Sequence, residues 1–178
     1  TVMTKTSTTV YTYAHTVDHG SGNASVVMSV AEDAGGNVVI ATPTSGATFV
    51  VDNTAPTAAI TYSRSGQYEK NDAVTITATF SEAVADSPVP KIAITGANAV
   101  SATVMTKTST TVYTYAHTVD HGSGNASVVM SVAKDVAGNV ITATPTSGAT
   151  FVVDNKSSSQ YPPHIHDEVT VSINSDDT

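Results

Sequence analysis

TVMTKTSTTVYTYAHTVDHGSGNASVVMSV, residues 1–30, stands a second time at 103–132, and the match continues to residues 53 and 155. Across that stretch the two copies differ at five pairs of positions: Glu32/Lys134, Ala34/Val136, Gly35/Ala137, Val39/Ile141 and Ile40/Thr142. The offset is 102 residues. Solenoid coils repeat every 20–50 residues or so. A unit of this length is instead the size of one complete β-sandwich, about 100 residues.

The segments inside the repeat read as strands. In AVTITATF (73–80), Val74, Ile76, Ala78 and Phe80 fall on one face and Thr75, Thr77 and Thr79 on the other, the period-2 alternation of a half-buried strand. Ile92 and Ile94 alternate in PKIAITG, Val128, Met130 and Val132 in NASVVMSV, and Phe151 and Val153 in ATFVVD; Tyr113 and Tyr115 share a face of TTVYTYAHTV. SGQ, SPVP, TGAN, HGSGN, VAGN and PTSG punctuate these runs as turns. About seven short strands so spaced predict an all-β, antiparallel, immunoglobulin-like β-sandwich. The expected core is Ile60, Val74, Ile76, Phe80, Ile92, Ile94, Val128, Met130 and Phe151. The chain has neither Cys nor Trp, so the disulfide-and-tryptophan core of antibody domains is excluded. Pro56, just after VDN, marks a stiff junction. The organisation read from it is 54–155 as one complete repeat, 1–53 as the C-terminal half of another, and 156–178 as a tail.

Composition agrees. Hydrophobic residues make up 40% and charged residues 12%, Leu is absent, and Thr, Ser, Val and Ala dominate. With 15 acidic residues against seven basic, the net charge of −8 repels phosphate backbones, so nucleic acid is not an expected partner. No stretch reads as a membrane span or a signal peptide, so no membrane insertion is expected.

VDNTAPT at the junction, KDVAGNV before the last strands, and VTITATFSEAV followed by PKIAITGA resemble the Ig-like tandem repeats of giant secreted bacterial adhesins and other cell-surface proteins. The resemblance covers residues 1–155. It implies an extracellular rod-like extender or adhesive array of like domains, commonly stiffened by calcium at the junctions. The alternative function is an adhesive module that binds a glycan, a host protein or ice.

Calcium takes roughly six to eight oxygen ligands, from carboxylates, carbonyls and water. Asp135 and Asn139 lie in the AGN loop, and Asp154 with Asn155 closes the last strand at a junction. Asp33, Asn37, Asp52 and Asn53 repeat that set one period earlier. The resemblance points to the loop and linker aspartates as the ligands; the competing reading is that Asp and Asn here only make turns. His15, Asp18 and His19, repeated as His117, Asp120 and His121, and the tail pair His164/His166 are further metal candidates, or else solvated turn residues. The Thr75/Thr77/Thr79 ladder is an ordinary solvent face or a flat ice-binding one. No G-x-S-x-G, HExxH or phosphate loop occurs, and with no Cys there is no thiol nucleophile. No enzyme is predicted.

A C-terminal half alone leaves an apolar sheet face (Val26, Met28, Val30, Phe49, Val51) and its strand edges without a partner. The tail offers one candidate strand, Glu168–Asn174, in which Val169, Val171 and Ile173 alternate. Donated to the half-domain of a second copy, it would propagate head to tail into a homopolymer.

Overall fold

A computed structural model describes residues 1–155. The segment expected to form a tail strand, with Val169, Val171 and Ile173, and the His164/His166 pair lie outside the described residues. Among these residues the protein is all-β, with no helix and hence none long and apolar enough to cross a membrane.

Residues 1–53 carry four short strands, β1 (Thr4–Lys5), β2 (Tyr11–Thr12), β3 (Gly22–Ser25) and β4 (Thr48–Val51). They form two separate antiparallel ribbons, β1–β2 and β3–β4. Residues 54–155 carry β5 (Ala58–Tyr62), β6 (Gln67–Tyr68), β7 (Ala73–Phe80), β8 (Lys91–Gly96), β9 (Val100–Val104), β10 (Thr106–Lys107), β11 (Val112–Thr118), β12 (Gly124–Ser131) and β13 (Thr150–Val153). These make a four-stranded sheet, β10-β11-β7-β5, and a five-stranded sheet, β6-β13-β12-β8-β9. Every pairing is antiparallel except β13 with β6.

Side chains from both sheets join one core in a sandwich-like arrangement. Ile60, Val74, Ile76, Ala78, Phe80 and Tyr113 come from the first sheet; Ile92, Ile94, Val128, Met130, Phe151 and Val153 come from the second. All nine residues expected in the core are buried. The alternation in β7 is complete, with Val74, Ile76, Ala78 and Phe80 buried and the intervening threonines half-buried or exposed. Aromatic edges seal the core: Phe151 packs against Tyr62 and Tyr68 at centroid distances of 5.3 and 5.8 Å, and Phe80 meets Tyr113 edge-on at 5.6 Å.

One expectation about the pattern is corrected. Val132 does not continue the buried face of Val128 and Met130. It takes φ +50°, the left-handed region that a β-branched residue rarely adopts, and is 47% exposed. The turn of the chain there ends β12 at Ser131 and places Ala133, 1% exposed, in the core instead.

The two copies form the same local structure in the same register. Thr4↔Thr12 and Lys5↔Tyr11 repeat as Thr106↔Thr114 and Lys107↔Tyr113; the four pairs of β3 with β4 repeat in β12 with β13. Even the left-handed valine recurs, as Val30 at φ +56°. Tertiary burial does not recur. Tyr113, Val128 and Phe151 are 1%, 2% and 5% exposed, against 49%, 42% and 40% for Tyr11, Val26 and Phe49. The difference is the segment 54–102, which supplies β5 to β8 and most of β9 and occurs once.

Candidate metal centre

Three carboxylates meet where the junction enters the 54–155 unit. One oxygen from each of Asp52, Glu82 and Asp135 lies within 4.8 Å of the others, the one such acidic or histidine group among the described residues. Their backbones converge for separate reasons. β7 pairs with β5 so that Ala58 opposes Phe80, which returns the end of β7 to the start of the unit. Ser81 and Thr57 then tie the two chains together: Ser81 N donates to Thr57 O at 2.9 Å, and Thr57 N to Ser81 Oγ at 3.0 Å. Glu82 follows directly. Asp135 is brought alongside by its bridge to Val84 and by Ala85 N donating to Lys134 O at 2.8 Å.

The Asp135 loop is held by its own side chain. Asp135 Oδ1 accepts from the backbone N–H groups of Gly138 (2.6 Å) and Asn139 (2.8 Å), and Oδ2 accepts from Asn139 Nδ2 at 2.7 Å. The same Asn139 amide donates to the carbonyl of Asp52 at 3.0 Å, fastening the junction to the loop. Asp52 Oδ1 accepts from Thr54 N at 3.0 Å.

Electrostatics separate Asp135 from Glu82. Burial pushes the Asp135 carboxyl up, but hydrogen bonds from the Asn139 side chain and from the backbone N–H groups of 137–139 outweigh it, leaving the pKa below the usual carboxylate value. The Glu82 carboxyl is raised, first by desolvation and then by repulsion from Asp52 and Asp135. Three carboxylates this close, Asp135 buried and Asp52 and Glu82 half-buried, repel one another, and a cation among them would relieve that repulsion. Their hard, all-oxygen chemistry fits calcium better than a transition metal.

Of the residues singled out in the sequence, the structure brings Asp52, Asp135 and Asn139 together. Asp33 and Asn37 build the same loop in the first copy, with Asp33 Oδ1 accepting from Gly35 N (2.8 Å) and Asn37 N (2.9 Å). The partner of that loop that corresponds to Glu82 belongs to the segment present only once. Asp154 stands elsewhere. β13 follows the bridge of Ser147 with Ala59 and runs alongside β6, so Asp154 leaves at the far end of the unit, its N–H donating to Tyr68 O at 2.8 Å. It is the sequence counterpart of Asp52 and not a companion of Asp135.

Sequence reasoning missed Glu82, although it lies in the SEA stretch directly after the alternating strand 73–80. Working out the 58–62/73–80 hairpin register would have found it. The repeat histidines part company as well. His117 is buried, its Nε2–H donating to Asn98 Oδ1 at 2.6 Å, and burial lowers its pKa. His15, its counterpart, is exposed, because Asn98 too belongs to the unduplicated segment. Compared with known protein families, with curated proteins and with solved structures, the chain gives no match.

Proposed function

We propose that the chain is a non-enzymatic structural module: an immunoglobulin-like β-sandwich repeat with a 102-residue period, drawn from an extracellular or cell-surface array such as an adhesin or filament. Its partners on this reading are like repeats before and after it. Calcium at Asp52, Glu82 and Asp135 fixes the angle at which one repeat enters the next. The observation that carries the reading is the position of Asp52. It belongs to the end of one copy, yet its carboxylate stands with Glu82 and Asp135 of the following unit and its carbonyl accepts from Asn139. A cation there ties two repeats by relieving repulsion that the folded chain otherwise sustains. The near-identity of the copies suits an array grown by duplication.

Thermal unfolding of the 178-residue chain in CaCl₂ and in EDTA tests this. An extracellular calcium site has a Kd of about 10⁻⁴–10⁻³ M. Calcium at ten to a hundred times Kd therefore adds about 1.4–2.7 kcal/mol, a rise of several degrees in Tm. Glu82→Gln is expected to raise the melting temperature in EDTA, since it removes one of three repelling charges, and to abolish the calcium-dependent rise. Equal melting in EDTA and in calcium would refute the junction role.

A further inference from the structure

The two sheets of the 54–155 unit have four edge strands, β5, β6, β9 and β10, and three of them are guarded. β5 is covered by the chain at 146–147: Ile60 N donates to Ser147 O at 3.0 Å and Thr146 N to Ala58 O at 2.8 Å. β6 and β10 have two residues each; β6 runs on into Glu69 and Lys70, and β10 ends on Lys107. Short or charged edges resist pairing with another chain. The fourth edge, β9, has five residues (VSATV), carries neither charge nor proline, and pairs only with β8 among the described residues. We infer that β9 is a self-association edge, on which β9 of a second copy of the chain adds antiparallel. The inference concerns one complete unit and is independent of the calcium reading.

The ladder with β8 decides which groups are free. Ile92 opposes Thr103, Lys91 opposes Val104, and Met105 N donates to Pro90 O at 2.9 Å. Antiparallel strands alternate hydrogen-bonded and non-hydrogen-bonded pairs, so Thr103 turns its N–H and C=O to β8 while Ala102 and Val104 turn theirs away. The one register shift in the ladder comes before Thr103, toward Val100. No strand receives the outward groups among the described residues. A two-fold axis between two copies of Thr103 sets Ala102 of each chain opposite Val104 of the other, and each such pair can exchange both N–H···O bonds. Ser101, Ala102, Thr103 and Val104 are all exposed, so the approach displaces no side chain from the core.

Charge selects this edge for a second copy. The chain carries a net charge of −8, yet no Asp or Glu occurs between Asp86 and Asp120. That stretch holds β8, β9, β10 and β11, with Lys91 and Lys107 as its charged residues. Two copies repel one another as wholes, and least along a stretch without carboxylates. One edge against another buries little surface, so the association of two chains is weak.

The experiment is sedimentation equilibrium of the 178-residue chain from micromolar to millimolar concentration, with NMR of the backbone amides. A monomer–dimer equilibrium is expected in which the Ala102 and Val104 amides shift with concentration. Thr103 faces its own symmetry mate in this dimer, so Thr103→Lys, at an exposed position, should weaken dimerisation about fivefold by setting like charges opposite one another. An equimolar mixture of Thr103→Lys and Thr103→Glu should restore it as a heterodimer. Ala102→Pro removes an outward N–H from an edge, where proline is tolerated, and should abolish the dimer while the circular dichroism spectrum stays unchanged. No dimer at millimolar concentration overturns the proposal. A dimer indifferent to both Thr103→Lys and Ala102→Pro overturns it too, and would assign the association to another surface, such as the ribbons of residues 1–53. Ala102 and Val104 amides protected at every concentration, and exposed once residues 156–178 are deleted, would assign the edge to the tail and equally overturn it.

Discussion

Met130→Asp unfolds the 54–155 unit, while Met28→Asp, the same substitution one period earlier, leaves the main unfolding transition nearly unchanged. Met130 is fully buried between the two sheets, opposite Ile92. A carboxylate there has neither water nor a partner, and the cost, about 4 kcal/mol or more, is comparable with the roughly 5–15 kcal/mol that holds a domain together. Met28 has the same neighbours in sequence but is only half-buried on the open face. Its replacement by Asp should cost less than about 1 kcal/mol. Guanidinium denaturation followed by circular dichroism compares the two variants. Equal destabilisation would mean that residues 1–53 are packed as tightly as 103–155.

A second pair of substitutions isolates the backbone. Gly148 and Gly46 both take left-handed angles, φ +66° and +63°. That conformation alone costs an alanine about 1–2 kcal/mol. At Gly148 the added Cβ would also lie 1.9 Å from the carbonyl oxygen of Ile60, whereas at Gly46 nothing lies within 4 Å. The β5 backbone must then move, although Ile60 N donates to Ser147 O at 3.0 Å and the Tyr62 hydroxyl to Gly148 O at 2.6 Å. Forcing that shift adds about 1–3 kcal/mol. Gly148→Ala is therefore expected to lower the stability of the 54–155 unit by about 3 kcal/mol. Gly46→Ala should not move that transition. A small effect at Gly148 would contradict the close passage of β5 over residues 147–148.

What the sequence disclosed and what it concealed divide along physical lines. Strand alternation is local, so the apolar faces of 73–80, 91–96 and 124–130 could be read directly and are buried. Turn chemistry is local too: TGAN, HGSGN, VAGN and PTSG all contain residues at positive φ. The left-handed twist at Val132 was hidden, because no residue less suited to positive φ than a valine could announce it. The metal candidates were half legible. The Asp135–Asn139 loop is a short-range motif, but its partner depends on which end of the unit each junction reaches. That follows from sheet order, which places Asp52 rather than Asp154 beside it. Glu82 needs the register of a hairpin before it can be placed at all. His15 and His117 stand in identical sequence and differ only in whether Asn98 and its segment arrive.

That last contrast, identical sequence in two environments, is the centre of the account, and hydrogen–deuterium exchange reads it with an internal control. Any peptic peptide from residues 1–31 is identical in mass to its counterpart from 103–133, so both copies fall in one isotopic envelope. The chain at low concentration should give two equal populations for peptides covering 21–31 and 123–133. One should exchange within seconds, as expected of strands with open edges; the other should be protected up to the global stability of the 54–155 unit. A single envelope, with both copies fast or both slow, would contradict it.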